Sequence, residues 1–433
     1  MSIVFSSLNH AQRVPLAAEI HSRPFLALEA PTLLTHFAIL GEAEQQALLA
    51  ELCVHFGVAA PAAGGKYFSH DFGRFRLKWE LHTEFATFTF AETVDSMPLP
   101  EEAFSSMPSR HLPEQWLLRL QGRVLVASHL MLARPGGMQK AFAASLQRVF
   151  QGAPLAGSQV MNGGELWTDF AIHADGFSRF VVCDAVMHEQ QAGRLVQRVL
   201  EIETYRMMAL LALPLAQAAL PELNAAEAEL ATLAGALVEA DGKVDDGSTE
   251  QNLLDRITHL AARIEKVSAD TSYRFAAAKA YFGLVIARIE ELRELRIEGT
   301  PTVEEFMDRR LAPAMNTCEA VAARQHALAG RIANCNDLLR TRVGIVQEAQ
   351  NRMILQSMNA RAAQQLRLQQ AVEGLSVAAI TYYVIGLIGY SAKGAKTLGW
   401  VGNPELVMGV LVPVVAGGVW IGLRCMHKRL RHA

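Results

Sequence analysis

The sequence predicts an α/β (or α+β) cytosolic domain, then a long helical stalk and a two-helix C-terminal transmembrane hairpin. Three observations carry this. Blocks of aromatic and β-branched residues alternate with helical patterns up to about residue 188. No proline occurs between Pro313 and Pro404, in a stretch rich in helix formers. Two runs, Gly374–Ala392 and Leu406–Leu423, carry no charged side chain, and each approaches the roughly 20 residues that span a bilayer core.

In chain order, residues 1–188 form the cytosolic α/β domain. Strands are expected at Leu33–Leu40, Tyr67–Phe90 (broken into two), Gly122–Ala133, Gln159–Asn162, Leu166–His173 and Phe177–Ala185, each bounded by Gly, Pro or Asp. Helices are expected between them at Glu42–Phe56 and Met138–Phe150. Gly-Gly pairs at 64–65, 136–137 and 163–164 fall where turns belong. Residues 189–312 form a helical region, with helices at about 190–212, 214–240, 250–297 and 303–311. Pro214, Gly242–Gly247, Gly299–Pro301 and Pro313 mark its breaks. Leu253, Ile257, Leu260, Ile264 and Val267 form one stripe at spacings of three and four; Ile332, Cys335, Leu339, Val343 and Val346 form another. The stalk runs over 313–373, the first transmembrane helix over 374–392, the external loop over 393–405, the second transmembrane helix over 406–426 and a basic tail over 427–433.

Orientation follows from flanking charge. Arg361 and Arg367 precede the first run, and Arg424, Lys428, Arg429 and Arg431 follow the second, whereas the loop has Lys393 and Lys396 against Glu405. Basic flanks stay inside, so both termini are expected in the cytoplasm of a multi-pass inner-membrane protein. The partner expected first is the lipid bilayer.

The 433 residues, 51% hydrophobic with mean hydropathy +0.16, suit a sizeable soluble part plus one hairpin. A net charge of −3 argues against nucleic acid as a partner. Cys53, Cys183, Cys318, Cys335 and Cys425 are odd in number and include no C-x-x-C pair, which argues against a disulfide framework and a structural zinc site. The N-terminal residues lack a long apolar core, so no secretory signal is expected there.

The most patterned soluble segment is Gly73–Phe85. Alternation places Arg74, Arg76, Lys78, Glu80, His82 and Glu84 on one strand face, with Phe75, Leu77, Trp79, Leu81 and Phe85 on the other. Two readings stand side by side. The ionic face is solvated and holds cross-strand ion pairs, or it binds: the three basic residues an anion, and Glu80, His82 and Glu84 a divalent cation. The segment Glu19–Phe25 adds His21 and Arg23 around a proline-fixed bend, either as part of such a ligand-binding face or as an arm that docks Phe25 on the core. No P-loop, G-x-G-x-x-G after a strand, H-E-x-x-H or G-x-S-x-G occurs, so no catalytic signature and no certain cofactor is read.

The segments E-x-H-x-R-P-F (Glu19–Phe25) and G-R-F-R-L-K-W-E-x-H-T-E-F (Gly73–Phe85) resemble those of a bacterial family known as domain of unknown function 3422, over essentially the whole chain. The resemblance implies membrane anchoring and no defined activity. The order of segments is also similar to that of CorA-type magnesium channels. Where that family carries Gly-Met-Asn, this chain has Gly389, Tyr390 and Ser391. Asn403, Pro404 and Glu405 stand where its acidic outer loop lies.

Three functions fit these features. The first is a CorA-like homo-oligomeric ion channel or transporter, with Thr381, Tyr390 and Ser391 along the path and Asn403 and Glu405 at the outer mouth. The second is a non-transporting membrane-anchored scaffold or sensor whose cytosolic domain binds a partner or small ligand. The third is a membrane-anchored enzyme.

Overall fold

The computed structural model describes residues 8–14, 16–17, 24–41, 44–61, 64–150, 155–161, 163–184, 186–239, 248–397 and 404–430. They fall into two compact units. The first comprises Met1–Val238 and Arg256–Cys335, the second Glu239–Asp255 and Asn336–Ala433.

The first unit is built on a nine-stranded mixed sheet. Its strands are β1 (Thr32–Leu40), β2 (Tyr67–Asp71), β3 (Arg76–Leu81), β4 (Phe85–Thr93), β5 (Val124–Ala133), β6 (Ala156–Val160), β7 (Gly164–Thr168), β8 (Ser178–Asp184) and β9 (Leu295–Arg296), in the order β2-β3-β4-β1-β5-β8-β7-β6-β9. All neighbours are antiparallel except β5 and β8. One sheet face is covered by α1 (Gln45–His55), α2 (Pro100–Ser105), α3 (Glu114–Arg119) and α4 (Gln139–Val149). The other receives α5 (Glu189–Leu210), with α7 (Ser248–Leu292) reaching it through Tyr281, which stacks on α5 Tyr205. Alternation in β1 divides the core: Leu33, Phe37 and Ile39 join the α1–α4 layer, while Leu34 and His36 face α5. The result is a three-layer sandwich of the kind the strand and helix alternation predicts.

Between Tyr67 and Phe90 the chain makes three strands where the sequence suggests two. Gly73 has φ +81°, and the chain reverses there between β2 and β3. Arg74 therefore lies in a turn. The β3–β4 reversal takes up His82 and Glu84, so the alternation from 73 to 85 spans one strand and parts of two turns. β9 and the short helices α2 and α3 carry too little periodicity to be read from sequence.

From residue 189 the predicted break at Gly299–Pro301 falls between two helices, whereas Pro313 lies inside one; the predicted break at Gly242–Gly247 lies outside the described residues. Next to α5 comes α6 (Ala212–Glu239), which also holds Pro221, and after α7 comes α8 (Val303–Thr397), a single 95-residue helix that contains Pro313. Proline removes one N–H and frees the carbonyl four residues back; here that residue, Arg309, is exposed, so water can satisfy it. The last helix is α9 (Pro404–Leu430). In the two stripes, Ile257, Leu260, Ile264, Ile332 and Leu339 are each nearly fully buried. Within the first unit Thr271 of α7 bonds Gln325 of α8 (3.1 Å), and Lys279 pairs with Glu319 (2.7 Å).

Two helical stretches are apolar and long enough to cross a membrane by length and composition. In Glu189–Glu239 a third of the apolar window (33%) is buried; in Val303–Gly394 none is (0%). Met408–Gly422 is a shorter apolar helix.

Candidate functional site

The ionic face of β3 is not solvated. It packs under α5, because β3 lies inside the sheet between β2 and β4 and its even-numbered side chains point to the α5 layer. Lys78 is 5% exposed, and its ammonium donates to Gln197 Oε1 (3.0 Å) and pairs with Glu80 (3.1 Å). Gln197 passes its amide to Glu201 (2.8 Å), which Arg288 of α7 holds in an ion pair. Arg288 also reaches Glu291 (2.7 Å), which Arg198 grips from α5 (2.6 Å). The chain of charges thus ties β3, α5 and α7 together.

His36 sits on the same face. Its ring lies between the hydroxyls of Thr89 (2.8 Å) and Thr204 (3.1 Å). Burial, followed by the positive charge of Lys78 and then His82, lowers its pKa from 6.5 to about 3. The imidazole is therefore neutral at physiological pH. The space among Lys78, Glu80, His82, Thr87 and Glu201 is a cavity of about 40 Å³, room for a few waters rather than a substrate.

A linkage follows. His36 binds its proton more tightly unfolded, so stability is complete above about pH 6.5 and falls as pH drops toward about 3. The slope is about 1.4 kcal/mol per pH unit for a group shifted this way. His129, stacked on Phe177 and also lowered to about 3, adds in the same direction. Melting curves between pH 7 and 4 should fall steeply for the wild type and less steeply for His36→Asn.

The other predicted residues scatter. Arg76 is half-buried and donates to the Ala27 carbonyl (2.8 Å); Arg74 is exposed in its turn. Glu84 takes an ion pair from Arg274 and the phenol of Tyr281 (2.8 Å). His82 stacks on Phe85 (4.3 Å). Among the described residues no group of three or more His, Cys, Asp or Glu is placed to hold a metal ion. His21 and Arg23 lie outside the described residues, as does Asn403. The arm that follows them does dock: Arg194 lies over the Phe25 ring (5.2 Å), and Leu26 and Leu28 line the small cavity. A Cβ on Gly193 would overlap the Leu26 carbonyl oxygen, so glycine is what lets this arm cross α5. In the second unit Tyr390, Ser391 and Glu405 are exposed, Ser391 bonding back to Leu387 O (3.0 Å). The Thr381 hydroxyl is buried without a hydrogen-bond partner among the described residues.

A larger cleft, of about 820 Å³, lies elsewhere in the first unit, beside α4 and the β5–β8 strand ends. Its residues come from stretches spread between 134 and 295, so no contiguous motif marks it. The legible signals were the Gly-Gly pairs: Gly136 and Gly163–Gly164 both border it.

The family profile described as "Protein of unknown function (DUF3422)" matches residues 8–430. The chain belongs to that family. No curated protein and no solved structure matches it. Nothing in these comparisons supports the CorA-type architecture, which rests on the order of segments in the sequence.

Proposed function

We propose that this protein is a membrane-anchored, non-transporting scaffold or sensor whose α/β unit faces the cytoplasm. The observation that carries the reading is that the apolar window of Val303–Gly394, mean hydropathy 1.7, has none of its residues buried. Leu375, Ile380, Leu387, Val410, Val414 and Ile421 all stand exposed in the isolated chain, a surface that water penalises and lipid accepts. Close approach of the two runs is supported at Gly389, where a Cβ would meet Met408 Sδ at 2.6 Å; small residues serve such contacts in membranes. At the β3 face structural roles are preferred to catalysis, because Lys78 and Glu80 pair with one another around a cavity too small for a substrate.

Alkaline extraction of membranes should leave the full-length chain with the lipid, and release into the supernatant would sink the anchor. A cysteine label added from outside should reach a probe at position 402 and miss one at 431. Reconstituted vesicles should carry no ion flux. Flux that Glu405→Lys abolishes would instead establish the channel, with Glu405 as a ring of charge at its mouth.

A further inference from the structure

The segment before β1 is tied down lightly. Residues 24–28 form neither helix nor strand. Among the described residues one backbone bond holds them to the sandwich, from the Leu28 N–H to the Glu189 carbonyl (3.1 Å). Leu28 is 1% exposed, Phe25 and Leu26 are half-buried, and Ala27 is exposed. Leu26 and Leu28 line the small cavity that also holds Lys78, Glu80 and Glu201, so the segment closes one end of it. It crosses α5 at Gly193, where a Cβ would stand 1.8 Å from the Leu26 carbonyl oxygen. A segment with so few ties opens at a lower cost than the sheet beneath it.

Two cations meet this segment. Arg76 of β3 donates to the Ala27 carbonyl (2.8 Å), and the Arg194 guanidinium of α5 lies 5.2 Å from the centre of the Phe25 ring. Both arginines are half-buried, and among the described residues no carboxylate pairs with either. A half-buried charge without a counter-charge has lost solvation that nothing returns. A neutral carbonyl and a ring face are poor substitutes, since bonds to an ionised oxygen are roughly twice as strong. Phe25 and Ala27 are two residues apart, so the two contacts fall within roughly 7 Å of chain. Both guanidiniums therefore reach the space that this stretch fills.

We propose that residues 24–28 are a lid, and that a phosphate group displaces it by taking Arg76 and Arg194 in the space it leaves. Two guanidiniums suit a phosphate dianion better than a carboxylate, because each offers a planar fork of donors to separate oxygens. A ligand that binds only the open form draws the population toward it, so binding and opening rise together. The proposal rests on the sensor reading above and supplies its ligand class and its moving part. The two fail separately, since alkaline extraction reads the anchor and titration reads the lid.

The test uses the full-length protein in detergent at fixed ionic strength. Calorimetric titration compares inorganic phosphate, acetate and a soluble short-chain phosphatidic acid. Lid opening is read as the rate at which a thiol reagent modifies Leu28→Cys, with peptide mass mapping to separate that site from the native cysteines. Phosphate is expected to bind about ten-fold more tightly than acetate and to speed modification at position 28. Phosphatidic acid binding more tightly than phosphate assigns the group to a lipid headgroup, and the reverse order assigns it to a free phosphate. Arg76→Gln and Arg194→Gln should each weaken phosphate by about ten-fold. Gly193→Ala pushes the lid off, so it should bind phosphate about ten-fold more tightly, because the closed population no longer competes. If Gly193→Ala does not fold, the arginine variants and the labelling at position 28 still decide the matter. No heat with phosphate at millimolar concentration, acetate binding as tightly, unchanged affinity in Arg76→Gln, or modification at position 28 indifferent to phosphate would each overturn the proposal.

Discussion

Trp79→Ala is expected to destabilise the protein by about 3–5 kcal/mol, as large-to-small changes of core aromatics do. Trp79 is 0% exposed, lies opposite Phe88 on β4 with ring centroids 6.4 Å apart, and belongs to the cluster that includes Leu77, Phe90 and Trp116. Its removal leaves a cavity in the most aromatic part of the core. The indole N–H has no hydrogen-bond partner among the described residues, so Trp79→Phe removes an unsatisfied donor and should cost far less. Urea unfolding in a fixed detergent, followed by circular dichroism, separates the two. An equally large cost for Trp79→Phe would mean that the indole N–H makes a stabilising bond, whereas equal, small costs for Trp79→Ala and Arg76→Ala would overturn the strand register.

Lys78→Met should be nearly as damaging, by about 3–5 kcal/mol, because it breaks a buried ion pair by removing one partner. Lys78 is 5% exposed and faces Glu80 and Gln197, so its loss leaves the Glu80 carboxylate under α5 without the ammonium it pairs with. Changing both members, Lys78→Met with Glu80→Gln, should recover much of the loss. A ligand-binding lysine would behave differently: the single change would leave the unfolding midpoint in place. Arg76→Ala, on the same face but half-buried with one bond to the Ala27 carbonyl, should cost about 1 kcal/mol.

These two residues mark how far alternation can be read. It placed Trp79 and Leu77 in the core and put Lys78 and Glu80 together on the opposite face, and the structure keeps both statements. Whether the second face meets water or another layer depends on α5 and α7, more than a hundred residues away, and no local pattern carries that. Arg74, His82 and Glu84 left the strand face because the chain reverses at Gly73 and again before Phe85. The helix breaks follow the same division. The turn at Gly299, with φ +81°, interrupts the helices for a local reason, whereas Pro313 is carried inside α8.

The sequence by itself determined the class of the first unit, the positions of its long strands and helices, the apolar runs near the C-terminus and the family. Each of these follows from local composition and from periods of two or 3.6 residues, which short-range sterics and burial impose on contiguous residues. Only the tertiary structure decided that the β3 face is closed under α5, that His36 is held neutral between two threonines, and that Arg134, Gly164, Trp167 and Gln159 border one cleft. Those outcomes depend on strand order and register, which bring together residues far apart in the chain. Their energies come from desolvation and pairing that exist only once the layers have packed.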